Sequence, residues 1–315
     1  MTQQTVEKRV GAGAQIPRAG GAGSRKNRQK QSSPVWHVML APSLILIISL
    51  LVYPLIRAVI MTFQKTTLAG KSSWVGFDNY TRLATDEAFW RSMGVTAVFS
   101  VGAVVLELAL AWALALFLWN GFKRLNTFFR IVFAIPMMLS PVIVGVVWRT
   151  LLNPQFGWIN AVLGTDNADW LGNPQTALPV LILVDVWQWT PFLFLIVASG
   201  LAGVPEEVIE AAKIDGAGYW RVLRSIVIPL TAPVTIIGAL FRFVDATKTF
   251  DLPYNLTSGG PGTATETVGM FIYRKAFTYY EQGYASALSL VLTIIVGGLA
   301  FFILRWLGRV QRELS

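Results

Sequence analysis

The stretch EVIEAAKIDGAGYWRVLRSIVIP, residues 207–229, decides the fold. It carries Glu207, Glu210, Lys213, Asp215, Arg221 and Arg224, with Glu206 just ahead of it. Pro205 and the acidic residues after it write a helix start, because carboxylates favour the positive end of the helix dipole. Ala211 and Ala212 are strong helix formers. Gly216 and Gly218 break that helix, as glycine does where the chain needs a positive φ. Residues 219–227 then restart as a basic amphipathic helix leading to Pro229. Two short helices at an angle form a charged knob. Long apolar runs lie on both sides of it.

Those runs belong to a chain-wide pattern. Of 315 residues, 54% are hydrophobic and only 14% charged, whereas soluble proteins carry about 25% charged residues. The mean hydropathy is +0.55. Twelve Trp and eight Tyr fit the same class, since both favour membrane interfaces. A membrane helix needs about 20 apolar residues. Six segments qualify: 38–63, 92–118, 128–152, 177–201, 228–250 and 285–307. Pro136, Pro141, Pro191 and Pro233 lie inside three of them and predict kinks. The expectation is an all-α membrane protein with six transmembrane helices over 35–315.

Orientation follows from the basic residues. With the N-terminus inside, the cytoplasmic segments 1–35, 119–130, 203–227 and 305–315 hold sixteen Lys and Arg. The external segments 65–91, 153–176 and 251–283 hold six. The positive-inside rule then places both termini in the cytoplasm. It also accounts for the net charge of +9. The basic residues are dispersed over loops rather than gathered on one stripe, which argues against nucleic acid. Residues 1–34 are polar, basic and rich in Gly and Ala, and read as a disordered cytoplasmic tail. The apolar run behind them is too long for a signal peptide.

The opening stretch is therefore a cytoplasmic loop, 203–227, between the fourth and fifth spans. Its spacing is EAA, three residues, G, nine residues, I, one residue, then a Leu-Pro position. Here that is Glu210-Ala211-Ala212, Gly216, Ile226 and Ile228-Pro229, with Ile in place of Leu. The loop resembles the signature of permease subunits of binding-protein-dependent ABC importers. FDLPYNLTSGGP (250–261), Thr265, Thr267, YRKAF (273–277) and WVGFDNYTRL (74–83) resemble the carbohydrate branch, which includes maltose-type and glycerol-phosphate-type permeases. The resemblance covers about 38–310 and points to the shorter, six-span members.

The resemblance implies a type I ABC importer permease fold in the bacterial inner membrane. It implies a second, homologous permease subunit, two copies of an ATPase subunit and an extracytoplasmic substrate-binding protein or lipoprotein. The loop would be the coupling helix that docks on the ATPase, through Glu210, Ala211, Ala212, Asp215 and Gly216. Glu210 would meet a basic group there and Gly216 would make the turn. ATP and Mg would be held by the ATPase, with no cofactor on this chain. The sequence agrees in lacking a G-x-x-x-x-G-K-[ST] loop. It has no Cys and one histidine, His37, so thiol and triad chemistry are excluded.

Charges within spans are costly and usually face a cavity or a partner. Asp185, Gln188, Trp189 and Phe192 share one face of the fourth span, and Arg242, Asp245, Ala246 and Thr249 one face of the fifth. Rings beside hydrogen-bonding groups suit a sugar. The resemblance puts the cavity lining on the same two spans, and Asp185, Arg242 and Ala246 depart from the family's amides and hydroxyls. Arg242 could match an anionic substrate such as a glycerol phosphate, or it could pair with Asp185 or Asp245 to hold helices together. Glu107 is expected to make a structural hydrogen bond to a neighbouring helix. A secondary transporter is the rival reading, but it predicts inverted repeats, and none is evident.

Overall fold

The computed structural model describes residues 34–66, 72–121, 126–165 and 167–314. The expected tail, 1–34, lies outside these apart from Pro34. The chain divides after Tyr53 into two units. The first contributes α1 (Pro34–Ile47) and a π turn, Ile48–Val52. From Tyr53 onward the order is α2 (Tyr53–Met61), β1 (Gln64–Thr66), β2 (Ser72–Trp74), α3 (Asp78–Thr85) and α4 (Glu87–Gly121). Next come α5 (Asn126–Met138), α6 (Pro141–Leu151), α7 (Trp158–Leu163) and α8 (Ala177–Ala202). After these lie α9 (Glu206–Ile214), α10 (Tyr219–Val222) and α11 (Ile228–Thr247), then α12 (Asp251–Leu256), α13 (Val268–Tyr273) and α14 (Gln282–Leu314).

Among the described residues, five helical runs are long and apolar enough to cross a membrane: Leu40–Met61, Glu87–Trp119, Ala177–Ala202, Tyr219–Thr247 and Gln282–Arg309. The remaining expected span is broken rather than kinked. Ile131–Met138 and Pro141–Leu151 meet at 96°. Pro141 has no N–H to donate and disfavours helical geometry in the residue before it. Ser140 accordingly lies at φ −63°, ψ 137°. The freed Leu139 carbonyl accepts a hydrogen bond from Gln188 Nε2 at 3.0 Å. Pro136, Pro191 and Pro233 instead sit inside continuous helices. Among the described residues the all-α expectation has one small exception, an antiparallel pairing of β1 and β2 with Gln64 opposite Trp74.

The helices around α4 and α8 enclose three apolar clusters. The first joins Ala111, Ala115 and Leu118 to Leu193, Phe194, Val197 and Leu201, and takes in Val222, Leu223 and Val227 from the loop region. The second joins Phe99, Val144, Leu181, Val184, Ala246, Leu252 and Leu256. The third packs Leu83 and Phe89 against Phe271, Leu288 and Leu292. Small residues on α4 allow the close approach that holds helices together in lipid, where packing replaces the hydrophobic effect. α12 lies on α6 because Gly145 has no side chain. A Cβ there would sit 2.8 Å from Asn255 Cβ. This contact carries α12 to the break at Pro141.

Candidate functional site

Arg242 on α11 is the centre of the intramembrane polar cluster. Its side chain is 2% exposed, those of Asp185 and Glu107 2% and 0%. Nε donates to Glu107 Oε1 at 3.2 Å, and Nη2 lies 3.0 Å from the same oxygen. Nη2 also bonds Asp185 Oδ2 in a close ion pair. Nη1 donates to Asp245 Oδ2 at 3.4 Å. The guanidinium carbon lies 5.2 Å from the centre of the Trp189 ring. Every guanidinium nitrogen thus has a carboxylate partner. Three helices, α4, α8 and α11, are cross-linked by one side chain. Removing one member of such a group strands buried charge and is costly.

A cavity of about 170 Å³ opens beside this cluster. Asp185, Trp189, Asp245, Lys248, Thr249, Phe250 and Asp251 line it, with Pro141 from the helix break and Leu252. Arg242 backs the cavity without lining it. The wall carries three aspartates and one lysine beside two aromatic rings. A larger groove of about 400 Å³ lies between α4, α5 and α8, but its walls are apolar and Thr190 is its one hydroxyl. That hydroxyl already donates to Val186 O at 2.6 Å. Of these two, the smaller cavity is the one that can hydrogen-bond a polar solute.

The expected pathway residues therefore separate. Asp185, Trp189, Asp245 and Thr249 come together on the cavity wall. Arg242 holds Asp185, Trp189 and Asp245 from behind. Gln188 is fully buried and props the helix break through Leu139. Phe192 meets Trp189 edge-on at 6.4 Å and packs on the first apolar cluster. Ala246 is buried in the second cluster. Sequence reasoning gave Glu107 a hydrogen bond to a neighbouring helix but did not name Arg242 as the partner. The available signal was that each is charged within an apolar span. Lys248 also lines the cavity without having been expected there, and Phe250 and Asp251 were read only as part of a longer motif.

The charged loop forms two helices, as its sequence predicts. Pro205 stands at the N-cap of α9 with φ −63°, ψ 131°, and Glu206 and Glu207 fill the first turn. At the other end Gly216 N–H donates to Lys213 O at 3.0 Å and Ala217 N–H to Ala212 O at 2.9 Å. Gly216 has φ +78°. This is a Schellman stop, which needs a left-handed residue at the turn. Ile209, Ala212 and Ala217 pack against the first apolar cluster. Glu210, Ala211 and Asp215 are exposed, as are Ile214 at 86% and Trp220 at 77%. The second helix is not separate from the fifth span. It runs from Tyr219 through a π turn, Leu223–Val227, into α11. The π turn absorbs the strain of Pro229, whose ring would crowd the Ser225 carbonyl in a regular helix.

Spanning helices beside an open polar cavity, with an exposed helical knob rooted in their core, fit a transport permease. The chain belongs to the family of binding-protein-dependent transport system inner membrane components, which matches residues 38–313. It is 32% identical over 284 residues to the trehalose/maltose transport system permease protein MalF of Thermococcus litoralis, covering 88% of this chain and 94% of that one. It is 32% identical over 260 residues to the sulfoquinovosyl glycerol permease SmoG of Agrobacterium fabrum, covering 81% and 84%. It is 30% identical over 280 residues to the sn-glycerol-3-phosphate permease UgpA of Rhizobium meliloti, covering 87% and 94%. A bacterial ABC transporter that imports the acidic polysaccharide alginate has the same fold, with a TM-score of 0.73 at 22% identity over 88% of this chain and 96% of that one. The protein is thus an integral inner-membrane component with the fold of an ABC importer permease.

Proposed function

We propose that this chain is one of two homologous transmembrane subunits of an ATP-driven importer, and that its substrate is an uncharged carbohydrate. Two ATPase subunits carrying ATP and Mg dock below it, and an extracytoplasmic binding protein or lipoprotein delivers the sugar above. Membrane lipid surrounds the spans, and both termini face the cytoplasm. The observation that carries this reading is the loop 205–227. Its inner side is anchored in the helix core while Glu210, Ile214 and Trp220 stand exposed on the outer side.

The mechanism follows from how that knob is attached. Tyr219–Thr247 is one helical rod of 29 residues, about 43 Å long. One end is the knob and the other holds Arg242 and Asp245 at the cavity. A push on the knob by closing ATPase subunits therefore moves the cavity wall. ATP biases the equilibrium by binding one conformation better than the other.

The relatives carry both neutral and anionic solutes by name, so similarity does not choose between them. The cavity favours the neutral one. Arg242 is spent on carboxylates, and the wall has an excess of aspartate. Purification in mild detergent with mass spectrometry, then uptake by the complex in proteoliposomes, tests both parts. We expect a P-loop ATPase, a second permease and a binding protein to come along. Uptake should be stopped by vanadate and not by an uncoupler. Recovery of the chain alone, with uptake stopped only by the uncoupler, would establish secondary transport instead. Preference for a sugar phosphate would overturn the neutral substrate.

A further inference from the structure

The cavity beside Arg242 holds two charged groups that the chain itself leaves free. Lys248 and Asp251 both line it and both are exposed. Among the described residues, neither side chain has a hydrogen-bond or ion-pair partner. We infer that this pair determines substrate specificity by holding two hydroxyl groups of one sugar ring, Lys248 donating to one and Asp251 accepting from the other. The inference rests on the carbohydrate reading and deepens it, because it names the residues that read the sugar's hydroxyl pattern.

The other charged groups on the wall are less able to do this. Asp185 is closed off from solvent and bound to Arg242, and Asp245 shares that guanidinium at 3.4 Å. Lys248 is the one cation among the described wall residues. A sugar hydroxyl can both donate and accept. Two neighbouring hydroxyls therefore suit one group that only donates, the ammonium, and one that only accepts, the carboxylate. Trp189 on the same wall gives the C–H groups of the ring an apolar surface. The volume of about 170 Å³ lies below the roughly 300–1,000 Å³ of pockets for drug-sized ligands, which fits a unit near the size of one sugar ring.

The backbone that carries the pair is fixed before any ligand arrives. Lys248 caps the end of α11, its N–H donating to Asp245 O at 3.0 Å, and Asp251 opens α12. Between them, Thr249 O accepts from Thr267 Oγ1 at 3.0 Å. α13 presses on the same turn, since a Cβ on Gly269 would lie 2.9 Å from that oxygen and 3.2 Å from Lys248 O. α12 is seated on α6 at Gly145. Pre-placed groups lose less entropy on binding. A lysine at a helix C-terminus and an aspartate at an N-terminus also suit the helix dipoles. That role alone would not make selectivity depend on individual sugar hydroxyls.

The test uses the whole complex in proteoliposomes, with labelled glucose, maltose and trehalose as probes, then singly deoxygenated analogues of the sugar that is carried. The readout is the kcat/KM ratio of sugar to analogue. The binding protein contributes equally to wild type and variants, so a change in that ratio belongs to the cavity. Lys248→Met and Asp251→Ala should each lower the preference for the sugar about tenfold or more against one analogue, the worth of a hydrogen bond to a charged group. The two analogues should lack neighbouring hydroxyls. Lys248→Arg keeps a donor and Asp251→Asn an acceptor, and both should retain most of the preference. If a sugar is carried and the Met and Ala variants discriminate as the wild type does, the pair does not read hydroxyls and the importer reading stands. A loss of uptake equal for sugar and analogues would make the pair structural and also overturn it. If the wild type carries none of the three sugars, the carbohydrate reading falls and the pair's role with it.

Discussion

The two ends of the rod Tyr219–Thr247 treat charge in opposite ways. At the cavity end, every guanidinium nitrogen of Arg242 has a carboxylate, and the side chain is closed off from solvent. At the knob end, Glu206, Glu207, Glu210, Lys213, Asp215, Arg221 and Arg224 make no ion pair among the described residues, and all are exposed. The contrast separates two uses of a charged residue in a membrane protein. Charges satisfied within the chain hold helices in register. Charges left unsatisfied on a rigid, core-anchored surface remain available to a partner.

The sharpest way to break this contrast is at Arg242. We predict that Arg242→Met destabilises the detergent-solubilised protein by about 3–5 kcal/mol, because Glu107 and Asp185 are left buried without a counter-charge. The same substitution combined with Glu107→Gln and Asp185→Asn should recover most of that loss. Melting temperatures of the two variants decide the point, and a single variant as stable as the wild type would show that the cluster holds nothing together. The opposite end predicts the opposite pattern. Glu210→Lys should leave the melting temperature unchanged and reduce ATP-driven uptake at least tenfold, equivalent to about 1.4 kcal/mol or more of lost coupling. Normal uptake by that variant would remove the loop from the docking surface.

The same contrast explains what could be read from the sequence. The knob was legible because its determinants are local: a proline and acids at the start, Ala211 and Ala212 within, and Gly216 at the stop. Spans were legible by length and apolarity alone. The break at Met138–Pro141 was visible only as proline content, since a kink becomes a break when a distant group takes the freed carbonyl, and that group is Gln188 on another helix. Arg242 announced its need for a partner, yet nothing in the sequence selects between Asp185, 57 residues away on α8, and Glu107, 135 residues away on α4. Pairing across helices is a tertiary event. The strands Gln64–Thr66 and Ser72–Trp74 were missed because three residues are too few to show an alternation.

A smaller effect is expected at the turn that shapes the knob. Gly216 has φ +78°, and a Cβ there would meet nothing within 4 Å. The cost of Gly216→Ala is therefore conformational alone, about 1–2 kcal/mol. Asn tolerates the left-handed region better, so Gly216→Asn should cost less. Uptake and local amide exchange over α9 in the two variants measure this. Equal effects would mean the side chain clashes with a bound partner rather than with its own backbone.

The smallest effect sharpens the comparison with a third kind of charge, half-exposed and paired, ahead of α4. Asp86 accepts hydrogen bonds from the Tyr284 hydroxyl at 2.7 Å and from the Ala88 and Phe89 N–H groups at 3.0 and 3.3 Å. Partial burial pushes its pKa up, but the bonds from Tyr284, Phe89 and Ala88 outweigh this and hold it below the ordinary value of 3.8. A carboxylate lowered on folding stabilises the fold above its unfolded pKa, and the benefit disappears as pH falls through the folded value. We predict that Asp86→Asn lowers stability at neutral pH by about 1 kcal/mol or less, given solvent screening. The gap to the wild type should begin to narrow near pH 3.8 and close below it. A gap that persists undiminished in acid would mean that Asp86 acts through shape and neutral hydrogen bonding, since protonation would then remove nothing that asparagine does not already lack.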